Sequence, residues 1–290
     1  MKTRQYTLYR DAAPDASGDV VTLDDGSRLV GTELPLESFD RFDGDIVQFA
    51  LPIHALRHIG AVLRAHGLRD GQENFYQQCK DVIAVPEKHQ NEKGTEGKLN
   101  FQAYFHDVPH SMMSINDRAI VVLSLHAHGA PDADGLRPYR LMGYVHANEF
   151  EFAPNPSEPD QRLPGYYYNM LRISEHRENG QRVYRRAGIF SLMFAILLDL
   201  VTQNDIHFVY ATMGKENEKI NSALKKLCDH YDKHWDIYQV MSHTKINRLF
   251  GRAGAARRME DITDDEEALR QLYDLNMDEH GHEVFNQYPD

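Results

Sequence analysis

A short basic turn with one glycine is the stretch of this sequence whose residues most clearly suggest chemistry. It reads Arg185-Arg186-Ala187-Gly188-Ile189-Phe190, and an apolar run continues from it to Val201. The run predicts a buried helix, whose first N–H groups and positive dipole end can bind an anion such as a pyrophosphate. Gly188 would let the backbone approach that anion closely. The turn is therefore a candidate phosphate site, and a plain helix start after a basic turn is the alternative.

Strand-like segments lie on both sides of this turn. Residues 166–174 precede it, a polar turn spans 175–184, and residues 206–211 follow the predicted helix over 188–203. A helix over 216–231 and a strand over 235–241, expected to be the last, come next. Periodicity thus predicts a strand–helix–strand–helix–strand order around the candidate site.

The first half of the chain predicts two hairpins and two helices. The first hairpin places 20–23 against 28–30 across Asp24-Asp25-Gly26-Ser27, and the second places 118–126 against 139–152. A helix is expected from Asp45 onward and a weaker one over 72–82. The apolar residues of the first helix are spaced by three and four: Ile46, Phe49, Ala50, Ile53, Leu56, Ile59 and Leu63.

Charge and composition narrow the class of protein. The chain has 290 residues and a net charge of −12. Residues 259–290 carry eleven of the acidic side chains and one arginine, so the rest of the chain is nearly neutral, which argues against general nucleic-acid binding. Two cysteines without CxxC spacing indicate a reducing, cytoplasmic setting. The first six residues lack the apolar core of a signal peptide, and no apolar run is long enough to span a membrane.

The candidate phosphate turn and the order of elements around it resemble the GNAT superfamily of acyl-CoA N-acyltransferases. The superfamily motif Arg/Gln-x-x-Gly-x-Gly/Ala corresponds to residues 185–190, where Arg185 and Gly188 match and Phe190 replaces a small residue. Asn221 and Leu227 match a second feature, but Cys228 takes the place of a tyrosine general acid. The resemblance covers about 115–243. It implies an α/β (α+β) fold: a mixed, mostly antiparallel central sheet flanked by helices, with a splayed parallel strand pair.

The resemblance also implies a cofactor and its binding residues. Acyl-CoA, carrying acetyl or a longer acyl group, would lie between the strands at 166–174 and 206–211. Its pyrophosphate would rest on the N–H groups of 185–190, and a backbone N–H near Leu171 to Ile173 would polarise the thioester carbonyl. The binding residues so implied are Leu171, Ile173, Arg185, Arg186, Ala187, Gly188, Ile189, Phe190 and Asn221.

Direct transfer to an amine also needs a base and an acid. Glu175 and His146 are the candidate bases, since they lie near strand ends that would face the cleft. Cys228 or Tyr231 could reprotonate the departing thiolate. A structural reading competes for three of these: a buried thiol for Cys228, an aromatic at the edge of solvent for Tyr231 and a solvated turn residue for Glu175.

Histidine pairs raise the question of a metal. His126-x-His128, His106-x-x-x-His110 and His280-x-His282 are the closest pairs among sixteen histidines. Two rings at alternate strand positions share one face and can bind a metal. No cysteine or carboxylate completes a recognisable ligand set, so no metal is predicted.

Three functions follow as hypotheses. The first is transfer of an acyl group from acyl-CoA to the amine of a small molecule or amino acid. The second is a long-chain N-acyl amino acid or acyl-homoserine-lactone-type synthase supplied by acyl carrier protein. The third is a non-catalytic GNAT-fold binding or regulatory module. The expected organisation is a strand-rich extension over 1–45, a GNAT-like domain over 46–250 and an acidic tail over 251–290 with a short helix.

Overall fold

The computed structural model describes about three-fifths of the chain and divides it into two compact units. Unit 1 comprises Met1–His146 and Met170–Ile196, and unit 2 comprises Ala147–Asn169 and Leu197–Asp290. The described ranges are 2–13, 15–38, 45–69, 72–83, 118–152, 160–174, 176–184, 187–204, 206–214, 222–224, 226–227, 235–241 and 245–252.

The N-terminal strands of unit 1 pair with one another and with the next strand in the chain. β1 (Lys2–Asp11) pairs antiparallel with β3 (Arg28–Ser38) along its whole length and parallel with β4 (Ile46–Pro52). β2 (Val20–Thr22) pairs with β3 as predicted. In the turn between them, Asp25 accepts hydrogen bonds from the backbone N–H of Ser27 at 2.9 Å and from its hydroxyl at 2.6 Å. The strands described within 2–38 are thus part of the sheet.

The predicted helix from Asp45 is wrong in its first half. Residues 46–52 form β4, a 3-10 helix covers Ile53–His58, and α1 spans Ile59–Ala65. β4 is buried along its middle and pairs antiparallel with β5 (Ile120–Ala127). A strand buried on both faces carries apolar residues at nearly every position, so three- and four-residue spacings occur in it without a helix.

Alternate residues of the strands build one apolar core in unit 1. Odd-numbered residues of β4 and β5 share this core with α1 and α2 (Gln72–Ile83), and β6 (Tyr139–Phe152) adds Tyr139, Leu141 and Tyr144. Cys79 of α2 lies in this core, and burial raises the pKa of its thiol well above the usual value. The main contributors are Phe49, Leu51, Ile59, Val62, Leu63, Phe75, Val121, Leu123, Leu125 and Leu141.

The remaining elements of unit 1 lead to the candidate site. β5 and β6 are neighbours, which confirms the second hairpin, and the strand order of unit 1 is β2-β3-β1-β4-β5-β6. β7 (Leu163–Ile173) lies beside β6. The polar turn after it holds a small hairpin, β8 (Arg177–Glu178) and β9 (Gln181–Arg182), before α3 (Ile189–Gln203). β6, β7 and α3 contribute residues to both units.

Unit 2 contains a parallel strand pair. β7 pairs parallel with β10 (Phe208–Gly214) from Gly165↔Phe208 to Tyr168↔Ala211. β12 (Lys245–Arg252) pairs antiparallel with β10 and with β11 (Trp235–Met241), so the order is β6-β7-β10-β12-β11. The prediction that 235–241 is the last strand is wrong. Charged residues and a glycine interrupt the apolar pattern of β12 in the sequence.

Among the described residues most strand pairs are antiparallel and helices are few, which confirms the predicted fold class. Within the predicted helix over 216–231, residues 222–224 and 226–227 are described and helical, with Leu224 and Leu227 buried. The predicted tail helix lies outside the described residues.

Candidate functional site

The start of α3 has the backbone geometry that an anion site requires. Gly188 has a φ of 86°, in the left-handed region that side chains disfavour, and its carbonyl accepts a hydrogen bond from the N–H of Leu192 at 3.0 Å. Gly188 is therefore the N-cap, and the N–H groups of the next residues have no partner within the helix. These groups and the helix dipole favour a negatively charged ligand at this point.

Apolar side chains hold this helix start in place. Ile189 is buried, and the half-buried Phe190 stacks on Phe194, with ring centroids 6.1 Å apart and planes 7° from parallel. Residues 192–198 are all buried. The bulky Phe190 thus packs along its own helix, where the superfamily motif has a small residue.

The other predicted site residues divide into two groups. His146 is buried in β6, and Leu171 and Ile173 are half-buried in β7. Together with 187–190 they all belong to unit 1. The rest lie outside the described residues: Glu175, Arg185, Arg186, Asn221, Cys228 and Tyr231.

A pocket of about 570 Å³ in unit 1 was not predicted. Its wall is rich in cationic and polar side chains, and no carboxylate is among the described residues that line it. The wall comes from separate parts of the chain: Arg69, Asn74, Gln78, His128, Pro138, Tyr139, Arg140, Leu141, Ser174 and His176.

Arg140 is the best-anchored cation of this wall. Its Nη1 donates to Nε2 of His176 at 2.7 Å and to Oε1 of Glu178 at 2.6 Å. The bond assigns the Nδ1–H tautomer to a neutral His176, because Nε2 must accept. The hydrogen bond from Arg140 is the main cause that keeps the pKa of the Glu178 carboxyl below its usual range, and the neighbouring His176 adds to it.

Two histidines of β5 and its end lie beside this cluster. Nδ1 of His126 is 3.1 Å from the hydroxyl of Tyr184, and the rings of His126 and His128 are 6.0 Å apart. Desolvation, followed by the neighbouring imidazole and Arg140, lowers the pKa of His126, while desolvation followed by Arg140 and Arg137 lowers that of His128. Both rings are therefore neutral at pH 7 and able to accept a proton. Burial raises the pKa of Tyr184.

Gln78 fixes the edge of β6 that forms the pocket wall. The backbone N–H of Leu141 donates to Oε1 of Gln78 at 2.7 Å, and Nε2 of Gln78 lies 3.4 Å from the carbonyl of Tyr139. The carboxamide thereby pairs with the strand edge as a neighbouring backbone would.

The sequence contained only a partial signal for this pocket. The His126-x-His128 spacing placed two imidazoles on one strand face, but it was considered for a metal. No group of three or more histidine, cysteine or carboxylate side chains within the described ranges could hold a metal ion. Arg140, His176 and Glu178 come together only because the β8–β9 hairpin folds back toward β6, which no local pattern predicts.

No helix among the described residues has the length and apolar character needed to cross a membrane.

The chain is similar to known proteins only at the level of solved structures among the comparisons made. No protein-family model and no curated protein matches the chain. Among solved structures it is similar to Arabidopsis thaliana NAA60 in complex with acetyl-CoA, at 12% identity over 71% of this chain and 97% of that one, with a TM-score of 0.35. It is also similar to the NatC complex bound to Gag peptide and CoA, at 12% identity over 72% and 98%, with a TM-score of 0.38.

A third similar structure is the spermidine/spermine N-acetyltransferase SpeG from Vibrio cholerae, at 11% identity over 74% of this chain and 96% of that one, with a TM-score of 0.32. Because these TM-scores are below 0.5, the description of the fold rests on the strand order and register of the chain itself. The parallel pair of β7 and β10, the helix α3 between them in the chain and the mostly antiparallel sheet are features of the predicted fold class.

Proposed function

We propose that the protein transfers an acyl group from acyl-CoA to an amine. The observation that carries the proposal is the start of α3, where Gly188, with a φ of 86°, caps a helix that follows a strand of a parallel pair. The pyrophosphate of CoA would accept hydrogen bonds from the N–H groups that follow Gly188. The matching residues Arg185 and Gly188 of the superfamily motif support the same position.

The reaction would proceed by direct attack of the amine on the thioester carbonyl. A backbone N–H between Leu171 and Ile173 would stabilise the oxyanion that forms. Glu175 or His146 would receive the proton of the amine, and Cys228 or Tyr231 would protonate the leaving thiolate. The burial of His146 in β6 requires that the proton reach it through a water or an intervening polar group.

Calorimetry with the full chain tests this proposal. Acetyl-CoA and a long-chain acyl-CoA are each titrated, and thiol release is then followed with a mixture of amines and amino acids. The proposal expects binding of at least one thioester and amine-dependent thiol release. If neither thioester binds, the proposal is wrong.

With acyl carrier protein added as a further acyl donor, the experiment also separates the alternatives. Binding without turnover at any acyl length would favour a non-catalytic binding or regulatory module. Turnover only when the acyl group is presented on acyl carrier protein would favour the long-chain synthase.

A further inference from the structure

We propose that the pocket lined by Arg69, His128, Arg140 and His176 binds the carboxylate or phosphate group of a small molecule. The donors of this pocket are side chains, whereas those of the helix start at Gly188 are backbone N–H groups. The proposal therefore does not depend on acyl transfer.

The wall of the pocket selects for negative charge. Two guanidinium groups and two imidazoles line it, and the carboxylates that pair with its arginines, Asp132 and Glu178, are not among its lining residues. An anion entering this space meets donors and cations without an opposing carboxylate in the described wall. The described wall offers a cationic ligand no carboxylate partner, whereas its cationic and polar side chains can pair with an anion.

Arg140 is positioned in advance for such an anion. The bonds to His176 and Glu178 both use Nη1, Arg140 also hydrogen-bonds to Tyr184, and 40% of the Arg140 side chain is exposed. A guanidinium fork presents paired donors that match the oxygens of a carboxylate or phosphate. Because the side chain is already held, binding costs less conformational entropy than ordering a free arginine would.

The size of the pocket and its other polar groups suit a small molecule. A volume of about 570 Å³ is within the range of ligand sites. Asn74, Gln78 and Ser174 add amide and hydroxyl groups to the wall. Tyr139 is also part of the wall, and within the described residues its buried hydroxyl has no hydrogen-bond partner. These groups could orient the uncharged part of the ligand.

His128 should couple anion binding to the uptake of protons. Burial and two arginines keep this imidazole neutral at pH 7, and a bound anion would favour its protonated form. Binding should therefore take up protons, and affinity should rise as the pH falls from 8 to 6. The groups that face His128 are His126, Arg137, Arg140, His176 and Glu178.

The test uses the full chain and three probes: inorganic phosphate, sulfate and glutarate, titrated by calorimetry at low ionic strength. Arg140→Gln is compared with Arg177→Gln, which removes the same charge from the neighbouring β8–β9 hairpin but does not belong to the wall. We expect Arg140→Gln to weaken probe binding about tenfold or more and Arg177→Gln to change it less than about twofold.

The probes also distinguish the source of the anion. A preference for phosphate and sulfate that Arg140→Gln weakens indicates a phosphorylated ligand, and a preference for glutarate that Arg140→Gln weakens indicates a carboxylic acid; both support the site. Sulfate does not titrate between pH 6 and 8, so the heats in two buffers of different ionisation enthalpy report proton uptake by the protein, and His128→Gln should abolish it. The proposal is overturned if the wild-type chain binds none of the probes, or if both arginine variants lose equal affinity.

Arg140→Lys keeps the test decisive if Arg140→Gln does not fold. Lysine preserves the charge but not the fork, so probe affinity should fall by a smaller factor than in Arg140→Gln, while the melting temperature stays near that of the wild type. Unchanged affinity in a folded Arg140→Lys, with no effect of His128→Gln on proton uptake, would also contradict the proposal. Since no probe contains a thioester, failure here leaves acyl transfer unaffected, and failure to bind CoA leaves this site unaffected.

Discussion

The start of α3 and the cationic pocket offer an anion two different kinds of donor. At the helix start the donors are consecutive backbone N–H groups after Gly188, and the side chains there are apolar. At the pocket the donors are side chains from α2, β6 and the segments around 69, 128 and 174–176. A backbone site depends on one conformation of a few neighbouring residues, whereas a side-chain site depends on the whole fold of unit 1. The two should respond differently to substitution and to pH.

Gly188→Ala should have the largest effect, and Gly26→Ala is its matched control. Both glycines have a φ of 86°, and Gly26 lies in the β2–β3 turn with open space around it. Each substitution should lower the free energy of unfolding by about 1 to 2 kcal/mol, because alanine is strained in the left-handed region. Only Gly188→Ala should also weaken CoA binding, by about tenfold or more, since it displaces the N–H groups that hold the anion.

Urea unfolding and calorimetric titration of CoA check this pair. Equal CoA affinity in the two variants, at equal loss of stability, would show that the helix start does not bind the pyrophosphate. The pocket should retain its affinity for phosphate in both variants.

Gln78→Ala should have an intermediate effect that is confined to the pocket. It removes the partner of the Leu141 N–H, so the free energy of unfolding should fall by about 1 to 3 kcal/mol. Gln77→Ala, at the exposed neighbouring position of α2, is the control and should change stability much less. The measurements are urea unfolding and phosphate titration. A Gln78→Ala chain with unchanged stability would mean that water replaces the carboxamide without loss.

The smallest expected effect is a pH dependence of stability that comes from histidines beside the pocket and not from the start of α3. The helix start between 187 and 190 has no ionisable side chain, whereas His126 and His128 have lowered pKa values in the folded chain. The unfolded chain, whose imidazoles titrate near their ordinary value, then binds more protons than the folded chain just below pH 7. The free energy of unfolding should therefore fall as the pH is lowered from 7 to 5.

His66 contributes to the same pH dependence, because burial lowers the pKa of its imidazole. The ring stacks on Phe49 and its Nε2 lies 3.1 Å from the hydroxyl of Tyr9. Unfolding curves are measured at several pH values for the wild type and for the double variant His126→Gln, His128→Gln. The difference gives the part of the pH dependence that these two histidines cause. The double variant should show a shallower slope, and an unchanged slope would assign the whole dependence to other groups.

The sequence predicted best those features that are encoded locally. The β2–β3 hairpin follows from a turn motif, and α3 follows from an apolar run after a glycine. β4 was mistaken for a helix because its burial on both faces removes the alternation that marks a half-buried strand. β12 was missed because polar residues interrupt its pattern.

The candidate site divides in the same way. Gly188 was identified from its neighbours in the chain, and its conformation agrees with an N-cap. Arg140 and His176 are 36 residues apart, and their contact depends on the path of the β8–β9 hairpin. Periodicity and composition do not predict contacts between residues so far apart in the chain, so the pocket could be found only in the folded chain.

The carboxamide of Gln78 also occupies backbone hydrogen-bonding groups at the start of β6. Open N–H and C=O groups at the edge of a strand are a template on which a second chain can add a strand and begin to aggregate. At the start of β6, Gln78 occupies such groups at Tyr139 and Leu141, and just before the strand the backbone of Gly67 and Arg69 occupies those of Arg137. One glutamine side chain and a short loop thereby satisfy backbone groups at the start of β6, which lies between β5 and β7 in the sheet.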